Sequence, residues 1–263
     1  MPKLGFIGLG NMGSGIINGI IEKQLIPYDQ LYVSRKHPEL AKAYADQGVH
    51  VFADNRSVAK NAEFIILAVK PNILGSVLAE IRDVLDHQLI ISIAAGWSPK
   101  RLEDALPESV SYICAMPNVP VSVGMGCTIL NEEGRYTPEQ MEETQRIFSA
   151  IGSAHLVSSR IYDPCSTLAG CGPAYVFEFM EALCDAAVLA GIPKPLAQSL
   201  TAEMIAGAAQ MSLATGKHPC ALKDSVCSPG GTTIEGIRAL HEHGFHAGVM
   251  AAIASAIEKK NRL

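Results

Sequence analysis

The sequence predicts an α/β protein in two parts, a doubly wound, mainly parallel sheet followed by an all-α region. Two observations predict the sheet: a glycine-rich turn directly after a first apolar strand, and strand-like segments that alternate with helical ones up to about residue 155. A third observation predicts the change of architecture. The pattern changes after Ser158, and the segments from Pro173 onward are helical, with no credible strand.

The glycine-rich turn contains Gly8, Gly10 and Gly13, in the spacing G-x-G-x-x-G. It lies between a short apolar strand and a segment with isoleucines at helical spacing. In dinucleotide-binding folds the first glycine allows a tight turn, the second lets the backbone approach a pyrophosphate, and the third lets the helix pack on the strand. The helix N-terminus then attracts the anion. A purely structural glycine turn is the alternative, but the context favours an N-terminal Rossmann-type domain.

The remaining elements of this half follow from apolar runs and helical periodicity. Continuous apolar runs are typical of parallel strands that are covered on both faces, and their alternation with helices implies right-handed crossovers. The predicted strands are 31–33, 50–52, 63–69, 88–93, 111–114, 125–130 and 154–157. The predicted helices are 11–25, 37–47, 72–86, 99–106 and 137–151, the last with a Thr-Pro-Glu-Gln start typical of a capped helix.

The second half is rich in Ala, Leu, Met and Glu. Its predicted helices are 173–190, 195–215, 218–223, 231–242 and 245–260, with Gly191 and Gly216 at positions for C-terminal caps. We therefore predict two domains, a nucleotide-binding domain over 1–158 and a helical substrate-binding and dimerisation domain over 159–263. Small residues lie on every face of the helix 195–215 and permit close helix packing, so we expect a homodimer through this half. An ordinary buried helix would look similar.

Composition excludes several classes of function. The formal net charge of −5 and the pI near 5.9 argue against nucleic-acid binding and against an anionic membrane surface. No apolar run is long enough to span a membrane, and the first residues enter a strand without the pattern of a signal peptide. The seven cysteines include no C-x-x-C pair, which favours reduced thiols and a cytoplasmic location.

The end of the second predicted strand indicates which nucleotide is bound. An acidic residue there is typical of NAD enzymes, whereas cationic and hydroxyl groups suit the 2′-phosphate of NADP. The chain has Ser34, Arg35 and Lys36 at this point and no acid. A solvated Arg-Lys turn is the alternative, but the position directly after the glycine turn favours NADPH over NADH.

Three further tracts carry chemistry. The tract 223–236 brings the hydroxyls of Ser228, Thr232 and Thr233 and the backbone of Gly230 and Gly231 to a predicted helix start, where a small carboxylate can bind. A capped turn between helices is the alternative. The tract A-G-C-G-P-A-Y at 169–175 is predicted to be a glycine loop that opens a helix. The tract M-P-N-V-P at 116–120 follows a strand at its carboxyl end, where ligands bind in such sheets.

Taken together, these tracts resemble the pyrroline-5-carboxylate reductase family along essentially the whole chain. The matching motifs are the glycine turn at 8–13, A-V-K-P at 68–71, S-I-A-A-G at 92–96, M-P-N at 116–118, G-x-G-P-A-Y at 170–175 and S-P-G-G-T-T-I at 228–234. The last motif is highly specific to the family. The resemblance implies reduction of Δ1-pyrroline-5-carboxylate to L-proline by NAD(P)H, and a Rossmann domain followed by a helical domain that forms an intertwined dimer, in some members part of a decamer.

The resemblance also implies roles for individual residues. The residues implied to contact the nucleotide are Gly8, Gly10, Asn11, Met12 and Gly13 at the pyrophosphate, Ser34, Arg35 and Lys36 at the ribose phosphate, Asn55 near the adenosine, and Ala68, Val69, Lys70, Ala95, Met116, Pro117 and Asn118 on the nicotinamide side. The residues implied to hold the substrate are Ser228, Gly230, Gly231, Thr232 and Thr233. Thr233 matches the family's proposed proton donor.

Three departures from the family pattern stand out. Cys114 occupies the arginine position of R-x-M-P-N, so a potential cation is lost. Ala169 and Cys171 replace two serines of S-G-S-G-P-A-Y, which leaves the backbone as the contributor there. Met125 occupies a position that is often Glu or Ala.

The expected mechanism needs neither a metal nor a strong acid. A protonated cyclic imine already accepts hydride well, so orientation against the nicotinamide supplies much of the rate, and a threonine hydroxyl or a water delivers the proton. The histidines of H-E-H-G-F-H at 241–246 are expected to lie in a polar helix corner rather than to bind a metal. Two alternatives stay open: a reductase of another cyclic imine or small carboxylate, and a non-catalytic protein that senses NADPH.

Overall fold

The computed structural model describes residues 2–260 and 262 of the 263-residue chain. The chain forms two compact units. The first unit contains the residues up to Pro173 together with those from Ile257 onward, and the second unit is Ala174–Ala256. The predicted division at 158/159 stays a prediction, because the chain crosses from one unit to the other inside a single helix.

The first unit contains one sheet of eight strands. They are β1 Leu4–Ile7, β2 Leu31–Ser34, β3 His50–Phe52, β4 Phe64–Leu67, β5 Leu89–Ser92, β6 Ser111–Met116, β7 Gly126–Arg135 and β8 Gly152–Val157. The strand order is β3-β2-β1-β4-β5-β6-β7-β8. Among the described strands, neighbours are parallel except for β6 and β7, which pair antiparallel. The predicted fold class is confirmed.

Eleven helices are described, six before the last strand and five after it. They are α1 Asn11–Glu22, α2 Lys42–Ala45, α3 Asn55–Asn61, α4 Pro71–Ile81, α5 Pro99–Ala105, α6 Pro138–Ala150, α7 Ser159–Leu189, α8 Lys194–Thr215, α9 Pro219–Val226, α10 Thr232–Glu242 and α11 Phe245–Lys260. Short 3₁₀ turns occupy Tyr28–Gln30, Pro38–Ala41, Arg82–Val84 and Val119–Val123. At α6, Thr137 and Gln140 form the predicted capping box.

The sheet of the first unit has a separate apolar core on each face. Alternate side chains of one strand enter different cores: Leu89 and Ile91 pack in one and Ile90 packs in the other. Because both faces are covered, the strands need apolar residues at consecutive positions. This explains the continuous apolar runs of the sequence.

Two predicted helices are shorter than expected. The segment 37–47 contains a 3₁₀ turn and the four-residue α2 instead of one helix, and Ala41 is its one buried residue within these two elements. A helix with so little apolar contact has little to stabilise it beyond propensity. The segment 72–86 becomes α4, which ends at Ile81, followed by a 3₁₀ turn.

The prediction of a glycine loop at 169–175 was wrong. These residues lie inside α7, which begins at Ser159 and runs for 31 residues through Pro164 and Pro173. Pro173 has no N–H, so the carbonyl of Ala169 loses its helical partner four residues on. The side-chain amide of Asn118 replaces that partner, since its Nδ2 donates to the Ala169 carbonyl oxygen at 3.0 Å. A bond from outside the helix therefore allows it to continue past the proline.

The glycines predicted to end α7 and α8 have left-handed backbone. Gly191 has a φ of +90° and Gly216 a φ of +60°. Within the described residues, no helix is both long and apolar enough to cross a membrane.

Candidate active site

The glycine turn between β1 and α1 has the geometry that a dinucleotide requires. Gly8 has a φ of +99°, which side-chain-bearing residues rarely adopt. A Cβ at Gly13 would clash with the Gly8 carbonyl oxygen and lie 3.0 Å from the Cβ of Ala68. The first and third glycines therefore hold α1 tightly against β1 and the end of β4.

Gly10 stands at an open position of the same turn. A Cβ built at Gly10 would meet nothing within 4 Å in the described part of the chain. Gly10 is also the N-terminal cap of α1, and no described side chain caps that end. The N–H groups of the first helical turn have no partner within the helix, so they are available to an anion.

This turn opens onto a cavity of about 520 Å³. The cavity brings together the glycine turn, the end of β2 and the start of α3. Its lining residues are Gly8, Leu9, Gly10, Ser34, Arg35, Lys36, Ala53, Asp54, Asn55, Val69, Ile73, Val77 and Glu80. An anion-binding turn at one end and two cations at the other fit a phosphorylated dinucleotide.

At the ribose end of this cavity, Ser34 is buried at the carboxyl end of β2, and its Oγ donates to Asn55 Oδ1 at 2.8 Å. Arg35 is half-buried and Lys36 is exposed. Neither has a carboxylate partner among the described residues. Both cations are therefore available for a phosphate.

Two carboxylates also line this cavity. Asp54 caps α3: its Oδ1 accepts from the backbone N–H of Ser57 at 2.7 Å and its Oδ2 from the Ser57 hydroxyl at 2.8 Å. These hydrogen bonds hold the pKa of Asp54 below its usual value. Glu80, on α4, accepts from Asn55 Nδ2 at 2.8 Å. Sequence reasoning missed Glu80, because nothing in the helical pattern of α4 indicates that this position faces the nucleotide cavity.

The residues predicted for the nicotinamide side divide between two places. Ala68 and Val69 follow β4 and lie against the glycine turn, and Lys70 is the N-terminal cap of α4. Met116 instead lines a second cavity of about 500 Å³ with Ala94, Gly96, Trp97, Ser98, Pro99, Asn131, Glu133, Ser159, Tyr162, Asp163 and Lys260. Ala95 stands in the sequence between Ala94 and Gly96, which both line this second cavity. Pro117 follows Met116 in the sequence and is buried.

Asn118 has a structural use for both ends of its amide. Besides the bond to Ala169, its Oδ1 accepts from the backbone N–H of Cys127 at 2.8 Å. The side chain therefore ties the start of β7 to α7 within the first unit. Its predicted contact with the nicotinamide stays a prediction.

Cys114 is buried on β6, and its thiol donates to the Trp97 carbonyl oxygen at 3.5 Å. Burial raises the pKa of this thiol to about 12. The side chain therefore stays neutral at physiological pH and is not a nucleophile.

In the second unit, the tract 228–233 forms a turn that ends in α10. Gly230 has a φ of +68°, and the N–H of Gly231 donates to the Ser228 carbonyl oxygen at 3.0 Å. A Cβ at Gly231 would clash with Ser228 Oγ, so a side chain at this position would force the Ser228 hydroxyl to turn away. Gly231 is the N-terminal cap of α10, with no side-chain cap among the described residues.

The turn leaves several donors for a ligand. Thr232 and Thr233 occupy the first turn of α10 and are exposed, as is Ser228. In the part of the chain that is described, the Thr233 hydroxyl makes no hydrogen bond. Unpaired N–H groups at a helix start beside hydroxyls form a site for a small carboxylate.

A doubly wound sheet with a dinucleotide cradle, joined to a helical unit with an anion-binding turn, defines a nucleotide-dependent oxidoreductase. Residues 3–96 match the family model described as NADP oxidoreductase, coenzyme F420-dependent, and residues 159–263 match the model described as pyrroline-5-carboxylate reductase dimerisation. The chain belongs to the pyrroline-5-carboxylate reductase family, as its sequence predicts.

Individual relatives match along almost the whole chain. The pyrroline-5-carboxylate reductase of Escherichia coli is 42% identical over 99% of this chain and 98% of the relative. A solved pyrroline-5-carboxylate reductase from Coxiella burnetii superposes with a TM-score of 0.90 at 34% identity, covering 99% of this chain and 98% of that one. A Plasmodium falciparum pyrroline carboxylate reductase, solved with NADP bound, gives a TM-score of 0.89 at 32% identity, covering 98% and 97%.

Proposed function

We propose that this protein reduces Δ1-pyrroline-5-carboxylate to L-proline with NADPH, the last step of proline biosynthesis. The observation that carries the proposal is the turn at 228–233, whose glycines and unpaired helix N–H groups form a carboxylate site in a chain that matches reductases of this name over its full length.

The nucleotide is bound by the first unit. Gly10 and the start of α1 would hold the pyrophosphate, and Arg35 and Lys36 would pair with the 2′-phosphate. The nucleotide supplies a hydride from its nicotinamide when bound. Ala68, Val69 and Lys70 directly follow β4. Ala68 and Val69 lie against Gly8, and Val69 lines the same cavity as the glycine turn.

The substrate is bound by the second unit. Its carboxylate accepts hydrogen bonds from the N–H groups that begin α10 and from Ser228, and the helix dipole stabilises its charge. Thr233, whose hydroxyl has no other described partner, lies in the same helical turn and delivers or orients a proton at the imine nitrogen. Fixing the ring in one orientation in this way would supply much of the rate.

The protein forms a homodimer through its C-terminal helices. The helix α8 carries an apolar stripe at helical spacing, in which Leu196, Leu200, Met204 and Met211 are each about half exposed. Monomeric proteins rarely leave such a stripe open to water, so a second copy covers it. In some members of this family dimers assemble into decamers, and sedimentation at several concentrations distinguishes the two states for this protein. The seven thiols, none in a disulfide, fit a cytoplasmic location.

The reaction is tested by oxidation of NADPH with Δ1-pyrroline-5-carboxylate, Δ1-pyrroline-2-carboxylate and a β-ketoacid in parallel. We expect turnover of the first and at most a small fraction of that rate with the others. Preferential reduction of another imine would instead favour the alternative reductase, and binding of NADPH without any turnover would favour a sensor.

The role of Thr233 is tested by Thr233→Ala. We expect kcat to fall about 100-fold, the lower end for the loss of a proton-transfer group, with little change in NADPH affinity. Thr215→Ala is the matched control, because Thr215 ends α8 and its hydroxyl bonds the Met211 carbonyl oxygen. An unchanged kcat across the pH range in Thr233→Ala would assign the proton to water.

A further inference from the structure

The nucleotide cavity contains an acid that the end of β2 lacks. In dinucleotide folds an acid at that point accepts a hydrogen bond from the ribose 2′-hydroxyl of NAD. Here β2 ends in Ser34, Arg35 and Lys36, but Glu80 enters the same cavity from α4. The cations that suit a 2′-phosphate therefore follow β2, whereas the acid that suits a 2′-hydroxyl lies on α4.

Glu80 fixes the orientation of the groups around the ribose position. A carboxylate only accepts hydrogen bonds, so Asn55 must turn its Nδ2 toward Glu80 and its Oδ1 toward Ser34. The single proton of the Ser34 hydroxyl is then directed at Asn55. Ser34 and Glu80 therefore offer acceptor oxygens to a ligand on this side, and Asn55 keeps one amide hydrogen as a donor.

The Glu80 carboxylate forms no ion pair with a described cation, although its charge interacts with that of Arg56. Arg56 donates to the Glu80 carbonyl oxygen at 2.8 Å, but its guanidinium forms a bidentate pair with Asp83, at 2.9 Å for Nη2 and Oδ2. Asp54, the other acid of the cavity, has both oxygens occupied by Ser57. Glu80 Oε1, by contrast, has no hydrogen bond to any described residue. Glu80 is therefore the acid of this cavity that has an oxygen available for a ligand.

Acceptor groups distinguish the two nucleotides. The 2′-hydroxyl of NADH can donate to a carboxylate, whereas the 2′-phosphate of NADPH has no proton to offer when fully ionised and is repelled by a negative charge. Arg35 and Lys36 act in the opposite sense. The cavity thus combines a cationic side for a phosphate with an acidic side for a hydroxyl.

We propose that Glu80 is a specificity-determining residue that accepts a hydrogen bond from the ribose 2′-hydroxyl of NADH and weakens the binding of the 2′-phosphate of NADPH, so that the protein binds both nucleotides. The proposal rests on the proposed function for the identity of the nucleotides. It also makes Glu80 a positioning residue for Asn55.

The test is the dissociation constant of NADPH and of NADH for Glu80→Gln, measured by nucleotide fluorescence without substrate. Glutamine keeps an oxygen for Asn55 but removes the charge. We expect NADPH to bind several-fold more tightly and NADH several-fold more weakly, a change of about tenfold or more in their ratio. Raising the ionic strength reduces this change, because it screens an exposed charge.

The matched control is Asp83→Asn. It removes a carboxylate three positions further along, which is paired with Arg56 and does not line the cavity. We expect the ratio of the two dissociation constants to stay within about twofold of the original protein. A change as large as in Glu80→Gln would mean that net charge alone is responsible, and would overturn the proposal.

Three other results separate the proposals. If Glu80→Gln weakens the binding of NADPH and of NADH equally, Glu80 has a purely structural role. If the ratio of the two dissociation constants is unchanged, Glu80 has no role in specificity. Either result overturns this inference and leaves the proposed function intact. Failure of the original protein to bind either nucleotide would contradict the proposed function itself. Since binding is measured without substrate, the result does not depend on which imine is reduced.

Discussion

The two units of the chain differ in how far they bury their large apolar side chains. In the first unit, large residues such as Phe148 and Ile66 are fully buried between the sheet and its helices. In the second unit, Leu213 is 77% exposed and Met204 50% exposed, although both lie on the long helix α8. The first unit completes its own core, whereas the helices of the second unit carry more apolar surface than a single chain covers. We therefore expect a single chain to bind the nucleotide, and the second unit to gain stability when two chains associate.

The two glycine turns differ in what determines their shape. The turn at Gly8 and Gly13 is locked by contacts with β4, so its shape exists before a ligand arrives. The turn at Gly230 and Gly231 is built by a local contact with Ser228 and lies among exposed residues. We therefore expect mutations in the first turn to act on folding and nucleotide affinity together, and mutations in the second to act mainly on turnover.

The largest expected effect comes from placing a charge on the apolar stripe of α8. Met204→Asp puts a carboxylate where the second copy is proposed to pack, once in each chain of a symmetric dimer. We expect the dissociation constant of the dimer, measured by analytical ultracentrifugation, to rise about 100-fold or more, since burial of an unpaired charge is costly. Leu40→Asp, at a side chain that is 61% exposed in the first unit, is the control and should leave association unchanged. Equal behaviour of the two variants would remove the contrast between the units.

A pair of glycine substitutions gives the next largest effect and sharpens the contrast. Gly13→Ala forces a Cβ against the Gly8 carbonyl oxygen and should lower the free energy of unfolding by about 1–3 kcal/mol and weaken NADPH binding. Gly207→Ala, on α8, meets nothing within 4 Å in the described chain. It should stabilise separated chains by about 1 kcal/mol through helix propensity, while weakening their association. Chemical denaturation at low and high protein concentration measures both, and a loss of separated-chain stability in Gly207→Ala would contradict the open face assigned to α8.

The smallest expected effects are the pH dependence of stability that Cys114 causes and the difference in alkylation between Cys114 and Cys220. The pKa of Cys114 is raised to about 12 in the folded chain from an ordinary value of 9.0, so folding favours the neutral thiol. Its contribution to stability is therefore complete below about pH 9 and is lost as the pH rises toward 12. At pH 8 we expect iodoacetamide to label the exposed Cys220 and to leave Cys114 unmodified, as read by peptide mass spectrometry.

The corresponding control is Cys114→Ala. Between pH 8 and pH 10 the original protein should lose more stability in urea than this variant does, because the variant has no thiol to ionise. Rapid labelling of Cys114 in the folded protein would show that the first unit opens around β6, against the closed core described for it.

The sequence predicts most of the first unit because its signals are local. Gly8 and Gly13 are required by the backbone of one turn, and Thr137 and Gln140 form a cap from neighbouring residues. The predictions failed or were incomplete where distant residues decide the structure. In the sequence Pro173 predicts a helix break, and only the structure shows that Asn118 bonds the Ala169 carbonyl oxygen. Glu80 likewise has the pattern of an ordinary helix residue, and only the packing of α4 shows that it contacts Asn55. Contacts of this kind depend on how elements pack, which periodicity does not contain.

The bond between Asn118 and Ala169 also has a consequence for how the chain can change over generations. A proline in the middle of α7 is tolerated because an amide elsewhere in the sequence answers the carbonyl that the proline leaves unpaired. We therefore expect the two positions to be coupled: loss of Asn118 should cost more stability while Pro173 is present than after Pro173 has been replaced by a residue with an N–H. The order in which the two substitutions arise therefore changes how much stability the intermediate variant loses.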